Sequence, residues 1–174
     1  MTSPRHDLLL GEWACLGVLY REPSHGFAVA AQLRSDAEIG RIWSLSRPLT
    51  YRALDQLADR GLVRQAGSEP GDAGPNRTVL SITRTGRSRL RTWLQTPVEH
   101  LRDLRSELLL KIALAERCEI PIDDMLEEQR RRLEDQATAL EPMAIGADGS
   151  VVDPVALWRY EATCAGVRFL TRLT

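Results

Sequence analysis

Apolar residues recur at steps of three and four from the eighth position onward. Leu8, Leu9, Trp13, Leu16 and Leu19, with Glu12 among them, read as an amphipathic helix ending near Arg21, with Pro23 as its stop. Ser24 is then placed to cap a short second helix through Phe27, Ala30, Ala31 and Leu33. A third begins at Ser44 or Ser46, tolerates Pro48 in its first turn and stops by Arg60, with Gly61 as a left-handed terminator. At about 100° per residue, Arg47, Thr50, Leu54, Leu57 and Ala58 share one side of that helix, and Leu49, Arg52 and Gln56 the other.

The period then changes from helix to strand. "LVRQAG" and "RTVLSIT" read as strands joined by the Gly- and Pro-rich turn "SEPGDAGPN", which makes a hairpin. Thr83 or Thr85 starts a further helix through Leu90, Trp93 and Leu94 to Pro97. Beyond it every signal is helical. "LRDLRSELLLKIALAER" carries the stripe Leu101, Leu104, Leu108, Ile112 and Ala115; Ile122, Leu126, Gln129, Leu133, Gln136 and Leu140 follow a coiled-coil a/d repeat; and after the loop "PMAIGADGSVV" a last helix repeats the step at Val155, Trp158, Ala162, Ala165 and Phe169. A stripe of this kind needs a partner helix.

The predicted fold is mainly α with a small β-hairpin wing: a winged helix-turn-helix domain over residues 1–97, then an α-helical dimerisation domain over 98–174. Charge divides at the same place. Residues 1–97 hold 13 Arg against 9 acidic residues, and 98–174 hold 10 basic against 15 acidic, although the whole chain of 174 residues sums to −1. A basic segment beside an acidic one suits a polyanion-binding half and a half with another task.

Other chemistry lacks material. Cys15, Cys118 and Cys164 form no CxxC pair and are expected as buried free thiols, and His6, His25 and His100 stand apart from one another. No catalytic or metal-binding residue, no cofactor and no enzyme activity is expected, since neither Gly-rich stretch has the form of a phosphate loop. No apolar run approaches a membrane span, and the N-terminus is unlike a secretory signal, so a cytoplasmic protein is expected.

On helical spacing alone, Arg52 and Gln56 are either solvated residues or groups that reach base edges; the hairpin and the charge split favour the second. Leu49 is then placed to meet a thymine methyl, Ser46 and Thr50 a phosphate at the helix start, and Tyr51 both core and phosphate. Arg47 belongs to the same surface, and Arg64, Asn76 and Arg77 flank the wing loop for sequence-independent contacts. Double-stranded DNA is the expected partner, the alternative being a winged-helix module for protein contact without specific DNA binding. Leu126, Leu133, Leu140, Trp158 and Phe169 are the expected dimerisation residues. Trp93, Trp158 and Phe169 either pack as core or wall an effector cavity near the dimer interface, with Arg159 available to an anionic ligand; core is the commoner use of such aromatics.

The runs "LLLGEWACLGVLYREPSHGFAVAAQL", "LSRPLTYRALDQLADRGLV", "GPNRTVLSITRTGRSRLRTWL" and "LRSELLLKIALA" resemble, in this order, successive parts of PadR-family transcriptional regulators. The resemblance covers nearly the whole chain, with a C-terminal region of the longer, multi-helix subgroup. It implies a homodimeric winged-helix repressor bound to an inverted-repeat operator, often answering to a small aromatic or hydrophobic effector. Carried onto this sequence, it makes Ser46, Leu49, Tyr51 and Arg52 the recognition residues and Arg77 a wing contact. The chain departs from the family pattern at Pro48, where a small residue is usual, and at Thr50, where an aliphatic one is.

Overall fold

The computed structural model describes residues 8–70 and 76–173. His6 and the wing-turn residues 71–75 lie outside the described residues.

The first compact unit spans the chain to Leu94 and takes in Leu109–Pro121. Its centre is α1 (Leu10–Val18). The sequence predicts an amphipathic helix here, but every residue from Gly11 to Tyr20 is buried, because the later helices of the unit surround it. Period alone cannot separate a surface helix from a central one when small residues fill the second face. The Glu12 carboxylate accepts the Leu9 N–H at 2.6 Å, which satisfies one free amide of the helix start.

His25, rather than Ser24, caps α2 (Gly26–Gln32): its Nδ1 accepts the Ala28 N–H at 3.1 Å. Ser24 and His25 form β1, a third strand that the sequence pattern does not reveal, since two residues show no alternation. The sheet order is β1-β3-β2, all antiparallel, with β2 at Val63–Glu69 and β3 at Arg77–Ile82. Val63 pairs with Ile82 and Glu69 with Arg77, and an irregularity between Gln65 and Gly67 twists the hairpin. Between α2 and β2 lies α3 (Arg47–Asp59), bounded as the sequence predicts, with Gly61 at φ +67° just beyond it.

After the hairpin comes α4 (Arg84–Leu94). Thr83 caps it by accepting the Gly86 N–H at 3.1 Å, while its hydroxyl lies 2.8 Å from the Gly61 carbonyl oxygen and 3.1 Å from that of Leu62. One side chain thus ties the base of the wing to the end of α3. Trp93 stacks on Trp13 with centroids 4.7 Å apart and planes 6° from parallel. The chain's single lysine, Lys111, is fully buried in α5 (Leu109–Cys118) with its ammonium 4.9 Å from the Trp93 ring centre.

The predicted helix over 101–117 is therefore divided. Leu101–Asp103 is a 3₁₀ turn, Leu104–Leu108 a π turn, and only then does α5 begin, facing inward through Leu110, Lys111, Leu114 and Cys118. Of the predicted stripe, Leu108 and Ala115 are buried, and Leu101, Leu104 and Ile112 are half-buried.

The second unit comprises Gln95–Leu108 and the chain from Ile122 onward. Its body is the pair α6 (Asp123–Ala144) and α7 (Pro154–Thr171). The helices run antiparallel, with Tyr160 Oη 3.5 Å from Glu141 Oε1 near one end and Leu133 packed against Gly166 further along. Asp153 caps α7 by accepting the Val155 N–H at 2.9 Å. Gln129, buried on α6, accepts the Val98 N–H at 2.6 Å and donates to the Val98 carbonyl at 3.2 Å, fixing the segment before the 3₁₀ turn to the helix pair. The outer face of α6 is a ladder of ion pairs: Arg130 with Glu127 and Glu134, Arg131 with Glu128 and Asp135, and Arg132 with Glu128.

Candidate nucleic-acid interface

Four side chains hold α3 in place. Thr50, Ala53, Leu54 and Leu57 are buried at steps of three and four, so the opposite face is turned outward. Arg47 and Ala58, which helical spacing places with the packing side, are both exposed. On the outward face stand Arg47, Leu49, Tyr51, Arg52 and Asp55, with Gln56 half-buried at its edge. Leu49 is 51% exposed and Tyr51 43%, too much for either to serve as core.

Thr50 is different. It is fully buried, and its hydroxyl donates to the Ser46 carbonyl at 3.1 Å, so it closes the first turn of α3 and cannot reach a phosphate. Ser46 itself is exposed at the cap position, where the backbone amides of the first turn have no intrahelical acceptor. Tyr51 lays its ring on the backbone of Gly26: a Cβ there would come within 2.6 Å of the ring. The tyrosine is thus oriented from beneath by a glycine, with its ring partly open to solvent.

The wing supplies the second part of the surface. Arg64 and Gln65 on β2 are exposed, as is Asn76 ahead of β3, while Arg77 is half-buried. Sequence reasoning put Phe27 with the apolar stripe of the second helix, yet it is 47% exposed. Arg47 sits over its ring at 4.8 Å from the centroid and Arg77 at 5.9 Å. An exposed aromatic between two arginines from different elements is invisible to helical periodicity, because the arginines lie 20 and 50 positions away.

The residues expected for dimerisation fall into two groups. Leu126 and Leu133 are buried within the chain's own second unit, 8% and 3% exposed, so their seam is already filled. Leu140 is half-buried. Trp158 and Phe169 face outward at 73% and 39%, in a stripe completed by Val155, Ala162 and Ala165 on α7. The residues weighed for an effector cavity separate likewise. Trp93 is interior to the first unit, whereas Trp158 and Arg159 are exposed neighbours on α7 of the second.

Two of the three thiols behave as core, and Cys164, expected to be buried, does not. Burial pushes Cys15 up to about 12, with the Glu12 carboxylate adding to the effect, and burial raises Cys118 to about 11 against the opposing pull of Arg117, Arg21 and Arg87. The Cys118 Sγ–H donates to the Gly17 carbonyl at 3.6 Å. Cys164 is half-exposed on α7. Among the described residues no group of three His, Cys, Asp or Glu is placed to hold a metal ion, and no helix is long and apolar enough to cross a membrane.

Residues 15–92, from within α1 to the last turn of α4, match the model of the Transcriptional regulator PadR-like family. The resemblance read in the sequence is thereby shown for that segment. Three solved structures are similar to the chain. A Bacillus subtilis PadR in complex with operator DNA is 19% identical, with 93% of this chain and 96% of that one covered and a TM-score of 0.48. The protein smu.1604c from Streptococcus mutans UA159 is 17% identical, with coverages of 94% and 98% and a TM-score of 0.46. The PadR-like transcriptional regulator BC1756 from Bacillus cereus is 21% identical, with coverages of 98% and 97% and a TM-score of 0.43. No curated protein sequence matches the chain.

Proposed function

We propose that this chain, PadR-like over residues 15–92, is a sequence-specific DNA-binding transcriptional regulator acting as a dimeric repressor in the cytoplasm, and not an enzyme. The observation that carries the reading is the outward face of α3, where Leu49, Tyr51 and Arg52 stand exposed on a helix locked from behind by Leu54 and Leu57. A helix of that exposure and width fits the major groove. Arg52 and Gln56 read base edges, Leu49 meets a thymine methyl, and Ser46, Arg47 and Tyr51 take phosphates. Arg64, Asn76 and Arg77 hold the adjacent backbone through the wing. Thr50 leaves the contact set because it is buried.

The second copy docks on the α7 stripe. Trp158 and Phe169 are the largest apolar side chains on that face and stand 73% and 39% exposed, whereas Leu126 and Leu133 support the unit from inside. A two-fold dimer presents two copies of α3 and therefore binds an inverted repeat. A small aromatic or hydrophobic effector would act at Trp158 and Arg159, both exposed on α7, where Trp158 belongs to the stripe itself and a bound ligand would alter the dimer.

The test is selection from fragmented genomic DNA at physiological salt, with sequencing of the retained fragments. An inverted-repeat motif is the expected result. Retention without any motif would reduce α3 to a non-specific electrostatic surface, and no retention at any salt would favour a protein-contact module.

A further inference from the structure

The geometry points to Phe27 as a positioning residue that joins the arginine of α3 to the arginine of the wing in one clamp for the phosphate backbone of duplex DNA. This rests on the DNA-binding reading above and extends it to a residue that neither charge nor hydrogen-bonding capacity would select.

Phe27 has little to do as core. It is 47% exposed on a helix of only seven residues whose buried positions are Gly26, Val29 and Ala30. Its ring instead carries two guanidinium groups, Arg47 at 4.8 Å and Arg77 at 5.9 Å from the centroid, and the cap residue His25 lies ring to ring with it at 6.3 Å. Both guanidinium groups fall inside the reach of the attraction between a cation and an aromatic face. Arg47 opens α3 and Arg77 opens β3, so the ring is where the helix and the wing meet chemically.

A guanidinium beside a ring face keeps its full charge, and its planar N–H fork is the geometry that matches phosphate oxygens. Free in solvent, each arginine would lose several rotatable bonds on binding DNA; held on the ring, part of that ordering is already done. Phe27 also fixes the distance between two positive charges from separate elements, so that helix and wing engage the backbone together.

The experiment compares the full-length protein with Phe27→Leu, Phe27→Tyr and Arg77→Ala, alone and combined, on a short mixed-sequence DNA duplex across a series of salt concentrations. Leu keeps the apolar volume and removes the π face; Tyr keeps the face. Phe27→Leu is expected to weaken binding about five- to thirtyfold. The slope of log affinity against log salt should fall by about 1. Phe27→Tyr should bind as wild type, and Arg77→Ala should cost less in the Leu background than alone. The melting temperature should not move, since the ring is half outside the core.

Wild-type affinity and slope in a folded Phe27→Leu protein, beside salt-dependent binding by the parent, would overturn the clamp and leave the DNA-binding reading standing. Additive losses in the double variant would overturn it as well. A parent protein that binds no duplex at any salt would overturn both.

Discussion

Replacing Trp158 with Glu tests whether the outer stripe of α7 is where two copies meet. A tryptophan side chain presents about 250 Å² to water when fully free. At 73% exposure roughly 180 Å² of it remains available to a partner, and at about 25 cal/mol per Å² its burial is worth at most ~4.5 kcal/mol on each side of a two-fold axis. Ordering of the interface offsets part of that, so about 2 kcal/mol per protomer, the level of an interface anchor, is the working figure. Two protomers lose it together, ~4 kcal/mol in all, which weakens the dimer about a thousandfold. Sedimentation equilibrium over a range of protein concentrations reads this directly, and thermal melting shows whether the subunit has stayed folded. Leu133→Ala is the contrasting variant. It removes a 3%-exposed side chain packed on Gly166 of the same chain, so it should lower stability by about 2–5 kcal/mol and leave the association constant of the folded protein unchanged. A Trp158→Glu protein that sediments as the wild-type dimer would refute the reasoning, and so would a Leu133→Ala protein that dissociates at an unchanged melting temperature.

Arg52→Ala should weaken operator binding and relax its specificity by about 1–3 kcal/mol if the guanidinium spans a guanine; equal losses on all sequences in a binding titration would make it a phosphate contact instead. Against a thiol reagent at mildly alkaline pH, Cys164 should react first and Cys15 and Cys118 only on unfolding, because burial holds these two thiols protonated at about 12 and about 11; two fast-reacting thiols in the native protein would contradict this. Acidification should loosen α6. Hydrogen bonds from Arg130 to Glu127, and from Arg132 and Arg131 to Glu128, lower both carboxyl pKa values in the folded chain. Their contribution is therefore complete above the ordinary carboxylate range and is lost as the pH falls through the lowered values, a small effect that added salt should also diminish. Helicity followed by circular dichroism across that window would show it, and stability that rises on acidification would rule it out.

The outline of the fold was legible because its signals are local. A glycine at a left-handed position closes α3, a Gly- and Pro-rich stretch separates a short strand-like run from an alternating one, and Asp153 before Pro154 opens α7. What escaped depends on partners distant in sequence. β1 exists because Ser24 and His25 find Leu80 and Val79, pairings with no imprint on a two-residue segment. The run after Pro97 reads as one helix because each residue in it favours one; it is divided because Leu110, Leu114 and Cys118 pack in the first compact unit while Leu104 and Gln129 belong to the second. The outward face of α3 and its surroundings were half legible for the same reason. Arg52 and Tyr51 declare themselves by type and helical angle, whereas Phe27 acquires its surroundings from Arg47 and Arg77, and Thr50 loses its expected role to a carbonyl four residues back.

The C-terminal helices show how an apolar stripe can be covered from within the chain. Leu126 and Leu133 imply an apolar neighbour, and a second copy of the chain is one way to supply it; the neighbour in the fold is α7. That helix packs on α6 with its small face, Ala156, Thr163 and Gly166, ending in Leu170, and Thr163 satisfies its hydroxyl on the Arg159 carbonyl at 2.7 Å so that it can be buried there. Small residues bring two helix axes close, and the leucines of α6 fill the space between them. The large side chains of α7, Trp158 and Phe169, are consequently left on the opposite face. Judged by size alone they would be assigned to the core. Their exposure on an otherwise closely packed helix pair is the physical reason to look for a partner at the outer face of α7, and it is why the proposed dimer contact is placed there rather than on the seam of α6.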